Sequence, residues 1–264
     1  MLSLNRVSVI FNENTPNEVW ALRDLDLEVR EGEFITVIGA NGAGKSTLFN
    51  AVAGTVPINR GRIFLNNRDV TALPEYRRSE QIGRVFQDPS LGTCPGLTLR
   101  ENLSLAALRG KRLGLSPGVR HSNHDWFFEL LKSVDLGLET RLDTDVALLS
   151  GGQRQAITLL IATMLKPKLL MLDEHTAALD PNAAGQVIDL TVRLAEQNRL
   201  TIIMITHSMQ QAIAVGNRVV MMNRGKVLFD ISGTERQSLR YGDLIERFRS
   251  LQTGDDLPDR VILG

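Results

Sequence analysis

Residues 39–47 read GANGAGKST and match the phosphate-loop pattern G-x-x-x-x-G-K-[ST]. An apolar run, 34–38, precedes them, and a helix-like stretch, 45–54, follows. In this setting the backbone N–H groups of a glycine-rich loop and the positive end of the next helix can hold phosphate. Lys45 adds a mobile cation, and Ser46 adds a hydroxyl for Mg²⁺. The pattern predicts a phosphate site that is formed by Gly39, Asn41, Gly42, Ala43, Gly44, Lys45, Ser46 and Thr47.

Two adjacent carboxylates end another apolar run, 169–174, which reads LLMLDE. Because strand side chains alternate in direction, neighbouring acids at a strand end can serve different tasks. Asp173 is the candidate ligand for Mg²⁺ and its waters, and Glu174 is the candidate that orients the water attacking the γ-phosphate. Taken alone, the pair is more typical of exposed acids at a strand end. The phosphate loop upstream favours the catalytic interpretation.

A third motif, LSGGQ at 149–153, opens a helix-like stretch that runs to residue 165. Ser150 is a typical helix N-cap, and the two glycines leave backbone N–H groups open to close approach by an anion. Taken alone, the motif also fits a helix cap with a flexible entrance. The candidate nucleotide-binding residues of this segment are Ser150, Gly151, Gly152 and Gln153.

The order of these motifs (phosphate loop, LSGGQ, Asp-Glu strand) closely resembles that of the ATP-binding cassette (ABC) family, over about residues 2–235. The resemblance implies an α/β fold. A P-loop NTPase core with a RecA-like mixed or parallel sheet would carry an N-terminal antiparallel β subdomain and an inserted α-helical subdomain. It also implies that two copies close head to tail on ATP. Each nucleotide would lie between the phosphate loop of one copy and residues 150–153 of the other.

Further family landmarks carry over onto single residues. Phe11 resembles the aromatic residue that stacks on adenine, with a core phenylalanine as the alternative and Trp20 as the competing candidate. Gln87 resembles the glutamine that senses Mg²⁺ and the γ-phosphate and that connects to the helical subdomain. Asp180 resembles part of the loop through which the two subunits sense each other's sites, and His207 resembles the histidine that contacts the γ-phosphate.

The chain departs from the family pattern after Glu174, where His175 replaces the usual proline. Proline restricts the residue before it, so histidine is expected to loosen Glu174 and to place an ionisable ring beside it. The alternative is a tolerated substitution in a strand-to-loop corner. The run DEHTAALDP, 173–181, resembles a branch of bacterial importer ATPases that act with separate permeases and solute-binding lipoproteins. Aromatic amino acids are among the substrates suggested for that branch.

The composition gives no strong global electrostatic field, because 30 basic residues balance 30 acidic ones in a chain of 264. We therefore expect no nucleic-acid partner. The single cysteine, Cys94, cannot form an internal disulfide, which fits a reducing compartment. The chain shows no secretory-signal pattern, and its longest apolar runs are shorter than the ~18 residues that span a bilayer. Any link to a membrane is expected to come through a partner.

Hydrophobic patterning predicts β-rich segments first and alternating helices and strands after residue 150. The expected strands are 7–11, 25–29, 34–39, 61–66, 169–173, 201–206, 219–222 and 227–230. The expected helices are 45–54, 99–108, 125–134, 150–165, 181–198 and 241–251.

We expect one ABC ATPase domain over 1–264. Its catalytic core and β subdomain are expected in 1–87 and 150–235, its helical subdomain in 88–149, and a C-terminal helix and tail in 236–264. The segment 109–123, with Arg109, Lys111, Arg112 and Arg120, is interpreted as a solvated basic connector, with contact with a partner as the alternative.

The favoured function is an ATP- and Mg²⁺-dependent ATPase subunit that powers solute transport, import rather than export, through separate membrane permease subunits. The expected partners are these permeases, a second copy of the chain and, indirectly, a solute-binding protein. The expected location is the cytoplasmic face of the inner membrane, as a peripheral subunit. A soluble single-cassette ATPase in cofactor or complex assembly is the alternative. An unrelated P-loop kinase is disfavoured because residues 150–153 stand ahead of Asp173 and Glu174.

Overall fold

The computed structural model of the chain describes residues 1–111, 118–119 and 123–252. It divides into two compact units: unit 1 is Met1–Arg78 with Thr201–Gly264, and unit 2 is Ser79–Leu200. Two residues of the predicted basic connector, Arg112 and Arg120, lie outside the described residues, as does the predicted tail from residue 253 onward. The subdomain boundaries expected from the sequence stay a prediction.

Unit 1 contains two groups of strands and several helices. The strands are β1 (Leu2–Phe11), β2 (Val19–Val29), β3 (Phe34–Ile38), β4 (Arg60–Leu65), β5 (Arg68–Asp69), β8 (Thr201–Ile205), β9 (Arg218–Asn223) and β10 (Lys226–Ser232). The helices are α1 (Lys45–Ala53), α2 (Glu75–Arg78), α7 (Met209–Ala214), α8 (Gly233–Ser238) and α9 (Tyr241–Gln252).

The first group of strands forms an antiparallel sheet in the order β2-β1-β4-β5. In the second group, β3 lies between β8 and β9 and is parallel to both, while β10 pairs antiparallel with β9. All residues of β3 and β8 are buried, which is typical of parallel strands covered on both faces. Because β3 and β8 are parallel, the segments that follow them leave the sheet at the same edge.

Unit 2 is built mainly from helices. It contains the strands β6 (Ile82–Val85) and β7 (Leu169–Asp173) and the helices α3 (Leu99–Ala107), α4 (His124–Lys132), α5 (Gly151–Thr163) and α6 (Pro181–Asn198). The two strands pair in parallel, with Val85 opposite Leu172. A short 3-10 turn, Pro89–Gly92, follows β6 and packs on α5, where a Cβ atom at Gly92 would overlap the Thr158 side chain.

The predicted α/β architecture, with antiparallel strands first and buried parallel strands later, is confirmed. Strand β6 and the short helices α2, α7 and α8 are not among the predicted elements, because segments of four to six residues carry too little periodicity to stand out. Strands β1 and β2 begin earlier than predicted, since exposed polar residues interrupt their apolar pattern. No helix in the described part of the chain is long and apolar enough to cross a membrane.

Candidate functional site

The phosphate loop joins β3 to α1 by a path that needs glycine. Gly39, Gly42 and Gly44 have φ angles of +152°, +79° and +100°, which strain other residues. A Cβ atom at Gly39 would overlap the carbonyl oxygen of Met222, and one at Gly44 would overlap that of Ala21. The neighbouring backbone therefore fixes the shape of the loop at both of its ends.

Lys45 is held inside this loop. Its side chain is buried, and Nζ donates to the carbonyl oxygens of Gly39 at 2.7 Å and Ala40 at 3.1 Å. Helix α1 starts after Gly44 without a side-chain cap, so its N-terminal N–H groups and dipole face the loop rather than a capping oxygen. If a phosphate bound here, Lys45 could donate to its charged oxygens instead of to the two neutral carbonyl oxygens. Hydrogen bonds to charged oxygens are stronger.

The turn between β9 and β10 supports the loop from outside. Gly225 donates its N–H to the carbonyl oxygen of Ala43 at 3.0 Å, and the carbonyl oxygen of Gly225 accepts the N–H of Arg23 at 2.9 Å. Gly225 has a φ of +78°, and a Cβ atom there would lie 2.8 Å from the Ala21 carbonyl oxygen. The sequence predicts this hairpin turn but gives no sign that it contacts the phosphate loop.

His207 lies at the same sheet edge as the phosphate loop. It follows β8, the loop follows β3, and Thr206 donates its N–H to the carbonyl oxygen of Val37 at 3.1 Å. The His207 residue is exposed. Among the residues predicted for the site, unit 1 thus brings the phosphate loop and His207 to one edge.

Phe11 and Trp20, the two candidates for stacking on adenine, occupy the end of β1 and the start of β2. Phe11 is 41% exposed, which does not fit the alternative of a core phenylalanine. The Trp20 ring already has two contacts within the protein. Its Nε1 donates to Glu18 Oε1 at 2.7 Å, and the Arg60 guanidinium lies 5.5 Å from the ring centroid. Phe11 therefore offers the more open aromatic ring.

Gln87, Asp173 and Glu174 share one edge of unit 2. Because β6 and β7 are parallel and Val85 lies opposite Leu172, the residues that follow both strands leave at the same end. Gln87 comes two residues after β6, Asp173 ends β7, and Glu174 follows it. The structure thus places the predicted glutamine and both predicted carboxylates at the same end of two neighbouring parallel strands.

Asp173 has a partner that sequence reasoning missed. Oδ2 of Asp173 lies 3.4 Å from Nη2 of Arg84, and both side chains are largely buried. The Arg84 guanidinium also lies 4.6 Å from the centroid of the Phe86 ring, which holds it in place. An arginine three residues before Gln87 is the signal in the sequence, although its side-chain direction depends on the pairing of β6 with β7.

Glu174 and His175 form a strained corner. Glu174 has a φ of +46°, a left-handed conformation that costs energy for a residue other than glycine and that occurs often at functional sites. The His175 side chain is buried, and its Nε2 lies 3.2 Å from Oγ1 of Thr191 on α6. Burial lowers the pKa of His175 to about 4, so the ring is uncharged at neutral pH. His175 therefore anchors the corner instead of loosening it, contrary to expectation.

The predicted N-cap at Ser150 is confirmed. Ser150 Oγ accepts the N–H of Gln153 at 3.2 Å, and Gln153 Oε1 accepts the N–H of Ser150 at 3.2 Å, which together form a capping box. Further along α5, Gln155 is fully buried and donates Nε2 to the carbonyl oxygen of Phe86 at 3.1 Å. This bond fixes α5 to the residue before Gln87.

The start of α5 packs closely on the start of α6. A Cβ atom at Gly152 would lie 2.8 Å from Cβ of Ala183, and one at Gly151 would lie 3.3 Å from the Leu179 side chain. Asp180 is the N-cap of α6, where its Oδ1 accepts the N–H of Ala183 at 3.0 Å. The 150–153 segment and the 178–180 loop are therefore in direct contact within unit 2.

The donor set fits Mg²⁺ held mainly by a substrate. In the described ranges there is no group of three or more His, Cys, Asp and Glu side chains that could hold a metal ion. Mg²⁺ usually keeps several waters and takes only one or two protein ligands beside substrate phosphates. Ser46, in the first turn of α1, carries a hydroxyl oxygen of this kind in unit 1, and Asp173, at the end of β7, carries a carboxylate of this kind in unit 2.

Comparison with known proteins identifies the family. The ABC transporter family pattern matches residues 22–177. A tyrosine transport ATP-binding protein of Clostridioides difficile (strain R20291) is 41% identical over 250 residues, which cover 94% of this chain and 98% of that protein. A methionine import ATP-binding protein of Bartonella henselae is 34% identical over 86% of this chain and 64% of that protein.

Solved structures agree. A dimeric ATP-binding cassette in a post-hydrolysis state, bound to ADP and Pi, has a TM-score of 0.74 and 27% identity over 88% of this chain and 98% of that one. A nucleotide-free cassette from an ABC transporter has a TM-score of 0.79 over 97% of this chain and 99% of that one, and at 22% identity it supports the fold alone. The chain belongs to the ABC transporter family, as an ATP-binding cassette with the P-loop NTPase fold and ATPase activity coupled to transport.

Proposed function

We propose that this chain powers the import of a solute through separate membrane permease subunits, at the cytoplasmic face of the membrane. The observation that carries the proposal is the similarity over nearly the whole chain to a tyrosine transport ATP-binding protein. The similarity to a methionine import ATP-binding protein favours import over export. Within this function we propose an aromatic amino acid as the solute, with a solute-binding lipoprotein as an indirect partner.

The chemistry that we propose is hydrolysis of the γ-phosphate of ATP. Lys45, the phosphate-loop N–H groups and His207 neutralise charge on the phosphates, and Phe11 stacks on adenine. Glu174 accepts a hydrogen bond from the attacking water and holds it in line, while Gln87 senses the γ-phosphate. Ser46 and Asp173 would hold Mg²⁺, which would supply positive charge to the phosphates. The strained backbone at Glu174 supports its role, because such strain is retained where a side chain must point in a defined direction.

We also propose that two copies close head to tail on ATP. In this dimer, residues 150–153 of one copy meet the nucleotide bound by the other, and Asp180 takes part in sensing the opposite site. Support comes from the dimeric state of the related cassette bound to ADP and Pi. The capping box leaves α5 with a fixed N-terminus, and helix N-termini favour anions such as phosphate.

The permease contact that we propose lies on unit 2, in the segment from Gln87 to Gly96 and the turn before Ser150. Two large apolar side chains are exposed there, Leu91 at 67% and Leu148 at 71%. Leu91 belongs to the 3-10 turn that packs on α5. Closure of the dimer would move this surface as a rigid body and so change the conformation of the permease.

The test is purification of the tagged Glu174→Gln variant from native membranes with Mg²⁺ and ATP, followed by mass spectrometry of what comes with it. We expect an integral membrane protein to co-purify. The double variant Leu91→Ser with Leu148→Ser should lose that partner, and Leu105→Ser, an equally apolar exposed position on α3, should keep it. If only soluble proteins co-purify, the transport proposal gives way to the assembly-factor alternative. Binding of labelled tyrosine to a co-purified solute-binding protein tests the solute.

A further inference from the structure

A basic cleft opens on the antiparallel sheet of unit 1, and none of the residues that line it is predicted for the nucleotide site. It has a volume of about 410 Å³ and is lined by Asn5, Arg6, Asp24, Arg60, Gly61 and Arg62. These residues come from β1, β2 and β4, which are neighbours in the sheet, and all six are exposed. The volume lies within the range of about 300–1,000 Å³ that is typical of small-molecule sites.

Irregular pairing of the three strands produces the concavity. The register of β1 shifts between Asn5 and Ser8 where it pairs with β4. Arg6, Asp24 and Gly61 have φ angles of +47°, +45° and +90° at this level, which marks a bulge in each strand. A Cβ atom at Gly61 would overlap the Arg6 carbonyl oxygen, so glycine is required for this close approach.

The charge in the cleft is positive, since three arginines face one aspartate. The guanidinium groups of Arg6 and Arg62 form no hydrogen bond or ion pair with any residue that the structure describes. Arg60 lies over the Trp20 ring at 5.5 Å. The single carboxylate of the cleft, that of Asp24, already has a partner. Its Oδ1 accepts a hydrogen bond from the Ser8 hydroxyl at 3.0 Å.

Two acids outside the cleft are also engaged by other groups. Asp26 Oδ1 accepts the backbone N–H of Arg6 at 2.8 Å, and Asp69 Oδ1 accepts the backbone N–H of Thr71 at 2.9 Å. Hydrogen bonds from Thr71 lower the pKa of Asp69, and the charge of Arg62 adds to this effect. Arg62 therefore acts on Asp69 through its charge, and its exposed side chain also lines the cleft.

We propose that this cleft binds the phosphate groups of a small phosphorylated molecule and is a second anion site, separate from the phosphate loop. Arginine presents paired N–H donors that match phosphate oxygens, and several such groups around one concave surface favour a polyanion. The contact between Arg60 and the Trp20 ring connects the cleft to an aromatic side chain at the start of β2. Occupancy of the cleft should therefore be visible in the fluorescence of Trp20.

The experiment uses inorganic pyrophosphate as the probe. The parent protein carries Lys45→Ala, which weakens the phosphate loop, and Trp126→Phe, which leaves Trp20 as the sole tryptophan. We expect saturable pyrophosphate binding by titration calorimetry and a matching change in Trp20 fluorescence. Adding Arg6→Gln with Arg62→Gln should weaken binding by about tenfold or more, because two charged donors are lost.

The matched control is Arg23→Gln with Arg68→Gln, which removes the same charge from exposed positions of unit 1 outside the cleft. It should bind pyrophosphate like the parent. Equal loss in both double variants, or no binding by calorimetry in the parent, would overturn the proposal. Cleft-dependent retention on phosphatidylglycerol vesicles without pyrophosphate binding would also overturn it, in favour of a lipid surface. ATP hydrolysis is measured separately, so failure of this proposal is distinct from failure of the proposed function.

Discussion

Nε2 of His175 lies 3.2 Å from Oγ1 of Thr191, and the Thr191 hydroxyl donates to the carbonyl oxygen of Val187 at 2.7 Å. Because the hydroxyl proton is used within α6, the threonine oxygen accepts, and the histidine must carry its proton on Nε2. The neutral ring thus connects the corner after β7 to α6. Glu174, with its left-handed backbone, is the residue immediately before this anchor.

We expect Thr191→Val to lower the kcat of ATP hydrolysis by about three- to tenfold with little change in KM for ATP. The variant keeps the shape of the side chain but leaves the buried His175 N–H without its acceptor. This costs ~1–3 kcal/mol of stability and destabilises the corner that positions Glu174. Steady-state kinetics and the thermal unfolding midpoint measure the two effects separately.

Two variants control for general damage. Thr191→Ser keeps the hydroxyl and should restore kcat, whereas Thr163→Val removes a buried hydroxyl that bonds within α5 and should leave kcat near wild type. If Thr191→Ser is as slow as Thr191→Val, packing of the methyl group and not the hydrogen bond positions Glu174.

Under the proposed role of Asp173 as a Mg²⁺ ligand, its ion pair with Arg84 should compete with Mg²⁺ binding. The Arg84 guanidinium lies 3.4 Å from this carboxylate, so a Mg²⁺ ion held by Asp173 would have to compete with it. We expect Arg84→Gln to reduce the Mg²⁺ concentration for half-maximal hydrolysis by about fivefold, equivalent to ~1 kcal/mol. Without nucleotide the variant should unfold at a lower temperature, because a largely buried carboxylate loses this ion pair. Mg²⁺ with a non-hydrolysable ATP analogue should then raise its melting temperature more than that of wild type.

Arg84→Lys keeps the charge and should retain a Mg²⁺ dependence close to that of wild type. Arg193→Gln, an exposed arginine on α6, controls for the loss of one positive charge from unit 2. An unchanged Mg²⁺ dependence in Arg84→Gln, together with a lower melting temperature, would mean that the pair is purely structural.

The sequence predicts the fold and the local chemistry of the site but not the contacts that brace it. Strand β3 and helix α5 are long or apolar enough to be recognised, and the Ser150 cap follows from residue type alone. Arg84 and Gly225 act through strand pairing and a turn contact between segments far apart in the chain. At position 175 the sequence showed only that histidine replaces the usual proline. It could not show that the ring is buried, because the burial depends on the packing of α6.

Close packing between α5 and α6 makes Gly152 sensitive to a single methyl group. We expect Gly152→Ala to lower ATP hydrolysis at least about tenfold while ATP binding by the monomer is kept. The added Cβ would lie 2.8 Å from Cβ of Ala183, so the two helix starts must move apart and displace residues 150–153. Equilibrium nucleotide binding and phosphate release, measured on the same preparation, separate the two effects.

Gly185→Ala is the matched control for this methyl group. It lies on α6, and its added Cβ has nothing within 4 Å. Alanine is favoured over glycine in a helix, so this variant should be more stable by ~0.5–1 kcal/mol and keep its hydrolysis rate. Normal hydrolysis by Gly152→Ala would show that the contact with Ala183 does not set the position of the motif.

Glu174→Gln tests the residue on which the proposed hydrolysis depends. The amide has nearly the shape of the carboxylate and should keep the same backbone corner, with His175 still bonded to Thr191. It is a much weaker acceptor for the proton of the attacking water, so hydrolysis should fall by about 10²–10⁴-fold while ATP affinity stays within a factor of about three. Glu196→Gln, an exposed position near the end of α6, makes the same chemical change and should hydrolyse ATP normally. A Glu174→Gln protein that binds ATP and hydrolyses it at the wild-type rate would require another residue to orient the water. A protein that loses ATP binding as well would place Glu174 in nucleotide binding instead of catalysis.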